Sequence, residues 1–209
     1  MQKLLFALLF AATSAIAQSP IPFASSNNSI ELSVRNSSLL ALTNVKVAAT
    51  GLPAWLHISS KEQIISSLRP QQPGTAKFTF SVDKTAPVNS PQNISFTISS
   101  PAGETWTKQI KISVNPPDHF ELFQNYPNPF NPTTTISYQL PREGRVAISV
   151  FNSIGQLVTT IADGVQPAGY HQEVWNAAST ASGMYVYQLV LTNADGKREF
   201  YRKKMLLVR

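Results

Sequence analysis

The sequence predicts an all-β protein with two consecutive antiparallel β-sandwich domains of immunoglobulin-like architecture, preceded by a cleaved signal peptide. Short runs of alternating apolar and polar residues fill residues 18–209, and turn-forming residues separate them at intervals of about 8–12 residues. No stretch shows a convincing helical period. Charged residues make up only 13% of the chain. The polarity supplied instead by Ser, Thr, Asn and Gln is typical of β-rich extracellular modules.

The cysteine count and the charge distribution narrow the class of protein. The chain contains no cysteine, which excludes a disulfide framework, zinc-thiolate sites and cysteine nucleophiles. It does not exclude export, because a domain of about 100 residues can bury enough surface without a disulfide. The formal charge of +6 is spread along the chain without a block of like charge before the C-terminus. This favours a solvated, mildly basic surface over a nucleic-acid groove, and we expect no nucleic-acid partner.

Residues 1–17 are typical of a signal peptide. Lys3 supplies a positive charge, residues 4–12 are apolar, and the Ala15-Ile16-Ala17 sequence is an Ala-x-Ala cleavage site with Gln18 after it. The alternative is a buried N-terminal helix. We expect recognition by the Sec export machinery and delivery to the periplasm. No later segment is apolar enough to cross a bilayer, so we expect no transmembrane segment in the mature chain.

Seven alternating runs predict the strands of the first domain, residues 18–117. They suit a β-sandwich, with Pro73-Gly74 as a turn and with Trp55 and Trp106 at the centre of the core, since an inter-sheet disulfide is impossible. The runs comprise Ile30–Val34, Val45–Ala49, Trp55–Ile58, Ile64–Ile65, Phe78–Val82, Ile94–Ile98 and Trp106–Val114.

The first domain resembles the accessory Ig-like domains found beside secreted bacterial enzymes. The resemblance rests on Ser29 with residues 34–36 (Val-Arg-Asn), and on residues 51–56 (Gly-Leu-Pro-Ala-Trp-Leu), 68–70 (Leu-Arg-Pro) and 75–78 (Thr-Ala-Lys-Phe). It implies a role in spacing or adhesion.

Asn115-Pro116-Pro117-Asp118 predicts a semi-rigid linker, because consecutive prolines favour an extended chain. The second domain, residues 118–209, is again predicted to have about seven strands. Turns are expected at residues 152–155 and 193–196. The clearest strand signals are Ile136–Leu140, Val146–Val150, Tyr185–Leu191 and Phe200–Val208.

The stretch from Phe120 to Pro132 separates the two halves and is rich in proline, asparagine and aromatic residues. Its three prolines fix φ and remove backbone donors, so neither a helix nor a central strand can pass through it. We expect an ordered loop that packs onto the domain that follows.

This stretch opens a series of six separated motifs. They are residues 124–132 (Gln-Asn-Tyr-Pro-Asn-Pro-Phe-Asn-Pro), 146–155, 168–171, 175–176, 182–187 and 203–207. In this order they resemble the type A C-terminal sorting domain of the type IX secretion system, over about ninety residues. The matching positions are Asn125, Tyr126, Pro127, Asn128, Pro129, Phe130, Asn131, Pro132, Gly155, Gly169, Gly183, Lys203 and Lys204.

The resemblance implies a folded address tag that the outer-membrane translocon reads. It also implies a sortase-like surface protease and possible attachment to lipopolysaccharide, with the protein secreted or held on the outer cell surface. The three glycines suit turns or close approaches, or else are ordinary hairpin glycines. The Lys203-Lys204 strand is either an edge that pairs with a receptor strand or a solvated edge protected by its lysines. We expect Trp175 and Tyr185 to be core residues.

No catalytic, cofactor or metal constellation stands out. His57, His119 and His171 lie in different segments without metal-ligand spacing. The first domain has four widely spaced acids, whereas a glycosidase needs two carboxylates about 5–10 Å apart. We therefore expect a non-enzymatic protein with a binding, adhesion or structural cargo domain and no cofactor. The alternative is an accessory, carbohydrate-associated module of a secreted enzyme system.

Overall fold

The computed structural model describes residues 20–209, and this part of the chain is all-β, as the sequence predicts. It divides into two compact units, of which the first ends at Asn115 and the second runs Pro116–Arg209. The predicted signal peptide and its cleavage site lie outside the described residues.

The first unit has seven strands in two antiparallel sheets. One sheet has the order β1-β5-β3 and the other the order β4-β2-β6-β7. The strands are β1 (Asn28–Arg35), β2 (Leu42–Thr50), β3 (Leu56–Ile58), β4 (Glu62–Leu68), β5 (Pro73–Val82), β6 (Gln92–Ser99) and β7 (Thr105–Ile112).

The predicted alternation places one face of each long strand in the core of the first unit. The rings of Phe78 and Phe96 are fully buried, with centroids 5.0 Å apart. They lie in the core, where we expected Trp55 and Trp106 to be the central residues. Trp55 is buried in this core, but Trp106 is only partly buried against it. The reason is that Trp106 lies on β7, an edge strand whose side chains have a neighbouring strand on one side only.

The predicted turn at Pro73-Gly74 is wrong. These residues begin β5 and pair with Arg35 and Val34 of β1, and proline is tolerated at the first residue of a strand. The chain turns earlier, at Gln71, where φ is +58°. Gly74 is required for a different reason, because a Cβ there would lie 2.8 Å from Leu68 Cδ1.

The second unit also has seven strands in two antiparallel sheets, with the orders β11-β10-β13-β14 and β12-β9-β8. The turns at 152–155 and 193–196 form as predicted, each closed by a hydrogen bond from its glycine to its first asparagine. The strands are β8 (Glu121–Leu122), β9 (Thr133–Leu140), β10 (Gly144–Asn152), β11 (Leu157–Gln166), β12 (Gly169–Asn176), β13 (Gly183–Thr192) and β14 (Arg198–Leu207).

Candidate functional site

Strand β14 lies at an edge of its sheet and pairs on its inner side with β13, without a register shift from Arg198 to Leu207. An edge strand leaves one row of backbone N–H and C=O groups free to bond elsewhere. The partners of this row decide which part of β14 another protein can reach.

The proline-rich loop, residues 124–132, covers the end of this edge. Gln124 Nε2 donates to Lys204 O at 2.7 Å, and Leu206 N–H donates to Asn128 Oδ1 at 3.0 Å. Phe130 N–H then donates to Leu206 O, and Val208 N–H donates to Phe130 O, both at 3.0 Å. Segments about 80 residues apart in sequence thus form one surface.

The remainder of the β14 edge is open. Because outward backbone groups recur every second residue, Phe200 and Arg202 face the same way as Lys204 and Leu206. Within residues 20–209, no hydrogen bond from another segment reaches the outer backbone of Phe200 or Arg202. The candidate site therefore combines a covered end of β14 with an uncovered stretch, Arg198–Arg202.

Asn125 anchors the proline-rich loop from inside the domain, where it is only 2% exposed. Its Nδ2 donates to Pro127 O at 3.0 Å and to Thr134 Oγ1 at 2.9 Å. Its backbone N–H donates to Tyr187 Oη at 3.0 Å, and this hydroxyl donates to Phe123 O at 2.7 Å. Burial raises the pKa of Tyr187 to about 12, so the hydroxyl remains a donor at physiological pH.

The two aromatic residues of the loop point in opposite directions. Phe130 is 2% exposed, and its ring lies 5.4 Å from that of Trp175, which in turn lies 5.6 Å from Tyr185. Both Trp175 and Tyr185 are core residues, as predicted. Tyr126 is 81% exposed. Phe130 therefore fixes the loop to the core, and Tyr126 is the aromatic side chain that a partner can contact.

The glycines of the motif do not come together. Gly155 lies in the turn after β10, and Gly183 pairs with Leu207 at the covered end of β14. Gly169 pairs with Leu140, at the end of β9 remote from the loop. A Cβ on Gly155 or Gly183 would meet nothing within 4 Å, while their φ angles are +81° and +155°. These two positions need glycine for backbone conformation and not for a close approach.

Lys203 and Lys204 face opposite sides of the sheet, because successive side chains alternate along a strand. Lys204 is exposed on the outer face of the sheet, the same face as Arg202. Lys203 borders a groove of about 320 Å³ between β8 and β14, which Phe120, Leu122 and Tyr201 also line. The two lysines therefore do not form a single basic patch.

The sequence motifs include Gln124, Tyr187 and Leu206, but these residues were not among the matching positions, and Thr134 lies outside every motif. Tyr187 follows the apolar alternation of its strand and so resembles an ordinary core residue. Nothing local in the sequence indicates that its hydroxyl bonds to the proline-rich loop.

Several of the residues considered for chemistry make structural contacts. In the first unit Glu31 pairs with Lys77 at 3.2 Å and Glu62 with Lys46 at 2.6 Å. His171 stacks on Tyr138 with centroids 5.1 Å apart. Across residues 20–209 we find no group of three or more His, Asp or Glu side chains placed to hold a metal ion. The same residues include no helix with the length and hydropathy needed to span a membrane.

Comparison with known structures gives distant likenesses. The dimeric latent PorU of Porphyromonas gingivalis is similar over 97% of this chain, with 14% identity and a TM-score of 0.37. The chain spans only 20% of the length of PorU. The CupB2 chaperone of Pseudomonas aeruginosa is similar over 91% of this chain and 98% of its own, with 11% identity and a TM-score of 0.29. At these TM-scores neither likeness supports an argument about function. No curated protein matches the chain.

Family models give the decisive result. Residues 124–204 match the family described as "Secretion system C-terminal sorting domain", and residues 12–118 match the "Putative Ig domain" family. The first match begins at Gln124, where the proline-rich loop starts to contact β14. A sorting domain of this type directs export by the type IX system, to the cell surface or the extracellular space. The chain therefore belongs to the Putative Ig domain family, which covers just over half of its length, and carries a type IX C-terminal sorting domain in its second unit.

Proposed function

We propose that the proline-rich loop and β14 together form the surface that the type IX outer-membrane translocon reads. The observation that carries this proposal is the set of hydrogen bonds from residues 124–130 to Lys204, Leu206 and Val208. These segments meet only when the second unit is folded. A receptor for this surface therefore distinguishes a folded domain from an unfolded chain.

Recognition would use two parts of this surface. The open edge at Arg198–Arg202 can pair with a receptor strand, since free backbone groups are the basis of β-augmentation. Pairing would stop near Lys204, where Gln124 already occupies the edge. The exposed side chains of Tyr126 and Lys204 would then make contacts beside the paired strand.

We also propose the further route of the protein, on the resemblance of the second unit to sorting domains. In our proposal the Sec machinery takes the chain to the periplasm through residues 1–17, with cleavage between Ala17 and Gln18. A sortase-like surface protease then removes the sorting domain, and the first unit is released or joined to lipopolysaccharide.

For the first unit we propose a non-enzymatic binding, adhesion or structural role. Its acids support this, since Glu31 and Glu62 pair with lysines and Asp83 Oδ1 accepts the Thr85 N–H at 2.8 Å. The alternative, a carbohydrate-associated module, needs an aromatic binding platform. Trp55 is buried and Trp106 is partly buried. Quenching of tryptophan fluorescence by soluble glycans would support that alternative.

The test of the sorting surface uses the full chain in a type IX-competent host, with immunoblots of periplasm, envelope and medium. Gln124→Ala combined with Asn128→Ala removes both side-chain bonds to β14 and leaves Phe130 in the core. We expect the protein to accumulate in the periplasm. Asn131→Ala, on an exposed residue of the same loop, is the matched control and should be exported normally.

A second pair of variants tests the open edge. Phe200→Pro removes the outward N–H while keeping the inner bonds to β13, and Phe200→Ala removes the same ring while keeping the N–H. Only the proline variant should lose export. Normal export of both Phe200→Pro and the double loop variant would disprove the proposal. Mass spectrometry of the exported product would show whether residues after about 118 are removed.

A further inference from the structure

The loop between β1 and β2, residues 36–41, exposes two consecutive leucines. Leu39 is 82% exposed and Leu40 is 65% exposed, among the most exposed apolar side chains of the described residues. Single exposed apolar residues are common on protein surfaces and need no explanation. Two adjacent leucines at the tip of a loop form a contiguous apolar surface, which is the kind of feature that marks an interaction site.

This loop is held in place by a dense set of hydrogen bonds around the fully buried Asn36. Asn36 Nδ2 donates to Leu40 O at 2.8 Å and to Leu68 O at 2.9 Å. Asn36 Oδ1 accepts from Ser38 N–H at 3.0 Å and from Ser38 Oγ at 2.7 Å. The leucine side chains take no part in this network. The loop is therefore preorganised to present them to solvent, which lowers the entropy cost of binding.

A second loop braces the first from the side. Gln71 N–H donates to Asn36 O at 2.7 Å, and Gln71 Nε2 donates to Ser37 O at 2.8 Å. Gln71 lies in the turn between β4 and β5, so both loops belong to one end of the sandwich. We call this end, residues 36–41 with 69–72, the leucine tip.

The charges around the leucine tip are positive. Arg35 ends β1 just before the first loop, Arg69 begins the second loop, and both are exposed. The two loops contain no acid, and the nearest acids in sequence are Glu31 and Glu62, whose carboxylates pair with lysines further along the strands. An apolar tip flanked by arginines matches an anionic surface.

One carboxylate does lie toward this end, in the loop between β6 and β7. Glu104 is on this loop, which leaves β6 at Ser99, opposite Lys46 of β2. Strand β2 continues four residues beyond that pair, back to Leu42. At about 3.3 Å per residue, the β6–β7 loop leaves its sheet about 13 Å short of Leu42, where β2 begins beside the leucine tip. The leucine tip therefore extends beyond Glu104.

We propose that the leucine tip binds the surface of an anionic lipid bilayer, with Leu39 and Leu40 inserted at the headgroup level and Arg35 and Arg69 contacting lipid phosphates. This would give the first unit, for which we propose a binding role, a defined target. Apolar insertion supplies affinity, and the arginines supply the preference for anionic lipid.

The test is cosedimentation of the purified full chain with vesicles of phosphatidylcholine alone and of phosphatidylcholine with phosphatidylglycerol. We expect binding to the anionic vesicles, weakened several-fold in about 0.5 M NaCl. Leu39→Ser with Leu40→Ser should weaken binding about tenfold or more. Arg35→Gln with Arg69→Gln should weaken it by a similar factor on anionic vesicles only.

Ile64→Ser is the matched control. Ile64 is 65% exposed on the edge strand β4 of the same unit, so the substitution removes a comparable exposed side chain away from the tip. We expect binding as in the wild type. All these side chains are exposed, and circular dichroism should show an unchanged fold.

Three outcomes would overturn the proposal: wild-type protein that does not bind anionic vesicles, equal binding to neutral vesicles, or equal binding by the leucine variant. Analytical ultracentrifugation of the same samples adds a fourth. Self-association that the leucine variant abolishes, without vesicle binding, would assign the tip to a second copy of the chain. None of these results bears on export, which is measured in cells with different residues.

Discussion

Two loops of this protein are built around a buried asparagine, and they use apolar residues in opposite ways. In the first unit, Asn36 holds a loop whose leucines face solvent. In the second unit, Asn125 holds a loop whose Phe130 enters the core and whose backbone covers the edge of β14. In both, the asparagine amide donates hydrogen bonds to backbone carbonyl groups of its own loop, and Asn36 also reaches Leu68 O at the end of β4. The comparison shows that the same polar device can project a loop outward or fix it onto a domain.

The largest expected effect on stability concerns Phe130, the apolar residue that enters the core. Phe130→Ala should lower the free energy of unfolding of the second unit by about 3–5 kcal/mol, because it leaves a cavity beside Trp175. Urea denaturation of the full chain measures the loss, and hydrogen exchange assigns it to β13 and β14. A loss below about 1 kcal/mol would show that the loop, and not the ring, holds this end of the domain.

The asparagines themselves should be costly in both units. Asn36→Ala removes the amide donor of Leu68 O, while Leu40 O keeps the Ser38 hydroxyl as a donor. Asn125→Ala removes one of the two donors of Pro127 O and the donor of Thr134 Oγ1. Each should cost about 1–3 kcal/mol, as expected for buried polar groups left unpaired. Thermal unfolding followed by hydrogen exchange should place each loss in its own unit. An Asn36→Ala variant that keeps normal protection of loop 36–41 would contradict the role given to the amide.

Two buried tyrosines of the second unit test whether hydrogen bonds of buried hydroxyl groups contribute to stability. Tyr187→Phe removes the partner of Asn125 N–H and of Phe123 O, and should cost about 1–2 kcal/mol. Tyr138 Oη is buried and has no hydrogen-bond partner among the described residues. Tyr138→Phe should therefore be neutral or stabilising. Denaturation curves give the free energy of unfolding of each variant. Equal losses in the two variants would contradict the expectation that only the Tyr187 hydroxyl contributes to stability.

Tyr187 makes the free energy of unfolding of the second unit depend on pH. Burial raises the pKa of Tyr187 to about 12, from 10.0, which means that the folded domain favours the neutral hydroxyl. The contribution to stability is complete below pH 10 and is lost as pH rises toward 12. Tyr187→Phe should flatten this part of the stability profile. Denaturation between pH 9 and pH 12 measures it, and a profile unchanged by the substitution would contradict the assignment.

The smallest expected effect concerns the exposed leucines. Leu39→Ser and Leu40→Ser should change the free energy of unfolding by less than about 0.5 kcal/mol each, because neither side chain is buried. Thermal unfolding of the full chain measures this. A loss as large as that of Phe130→Ala would mean that the leucines support the fold, and the comparison between the loops would fail.

Much of the fold was predictable because its signals are local. The alternation of Ile30, Leu32 and Val34, or of Val146, Ile148 and Val150, marks a half-buried strand without knowledge of its neighbours. The turn at Pro73-Gly74 was misplaced because Gly74 serves to admit the side chain of Leu68, a contact that forms only when the chain folds. Trp106 was overestimated as a core residue because alternation does not reveal which strand lies at an edge.

The sequence by itself determined the all-β class, the strand pattern of both halves and the family of the second half, because periodicity and motifs are properties of neighbouring residues. Only the tertiary structure decided that Asn128 bonds to Leu206, that Lys203 borders a groove with Phe120, and that Leu39 and Leu40 stand exposed at the same end of the sandwich as Arg35 and Arg69. These relations depend on strand order and on hydrogen bonds between distant segments. Such contacts come into existence only when the sheets assemble.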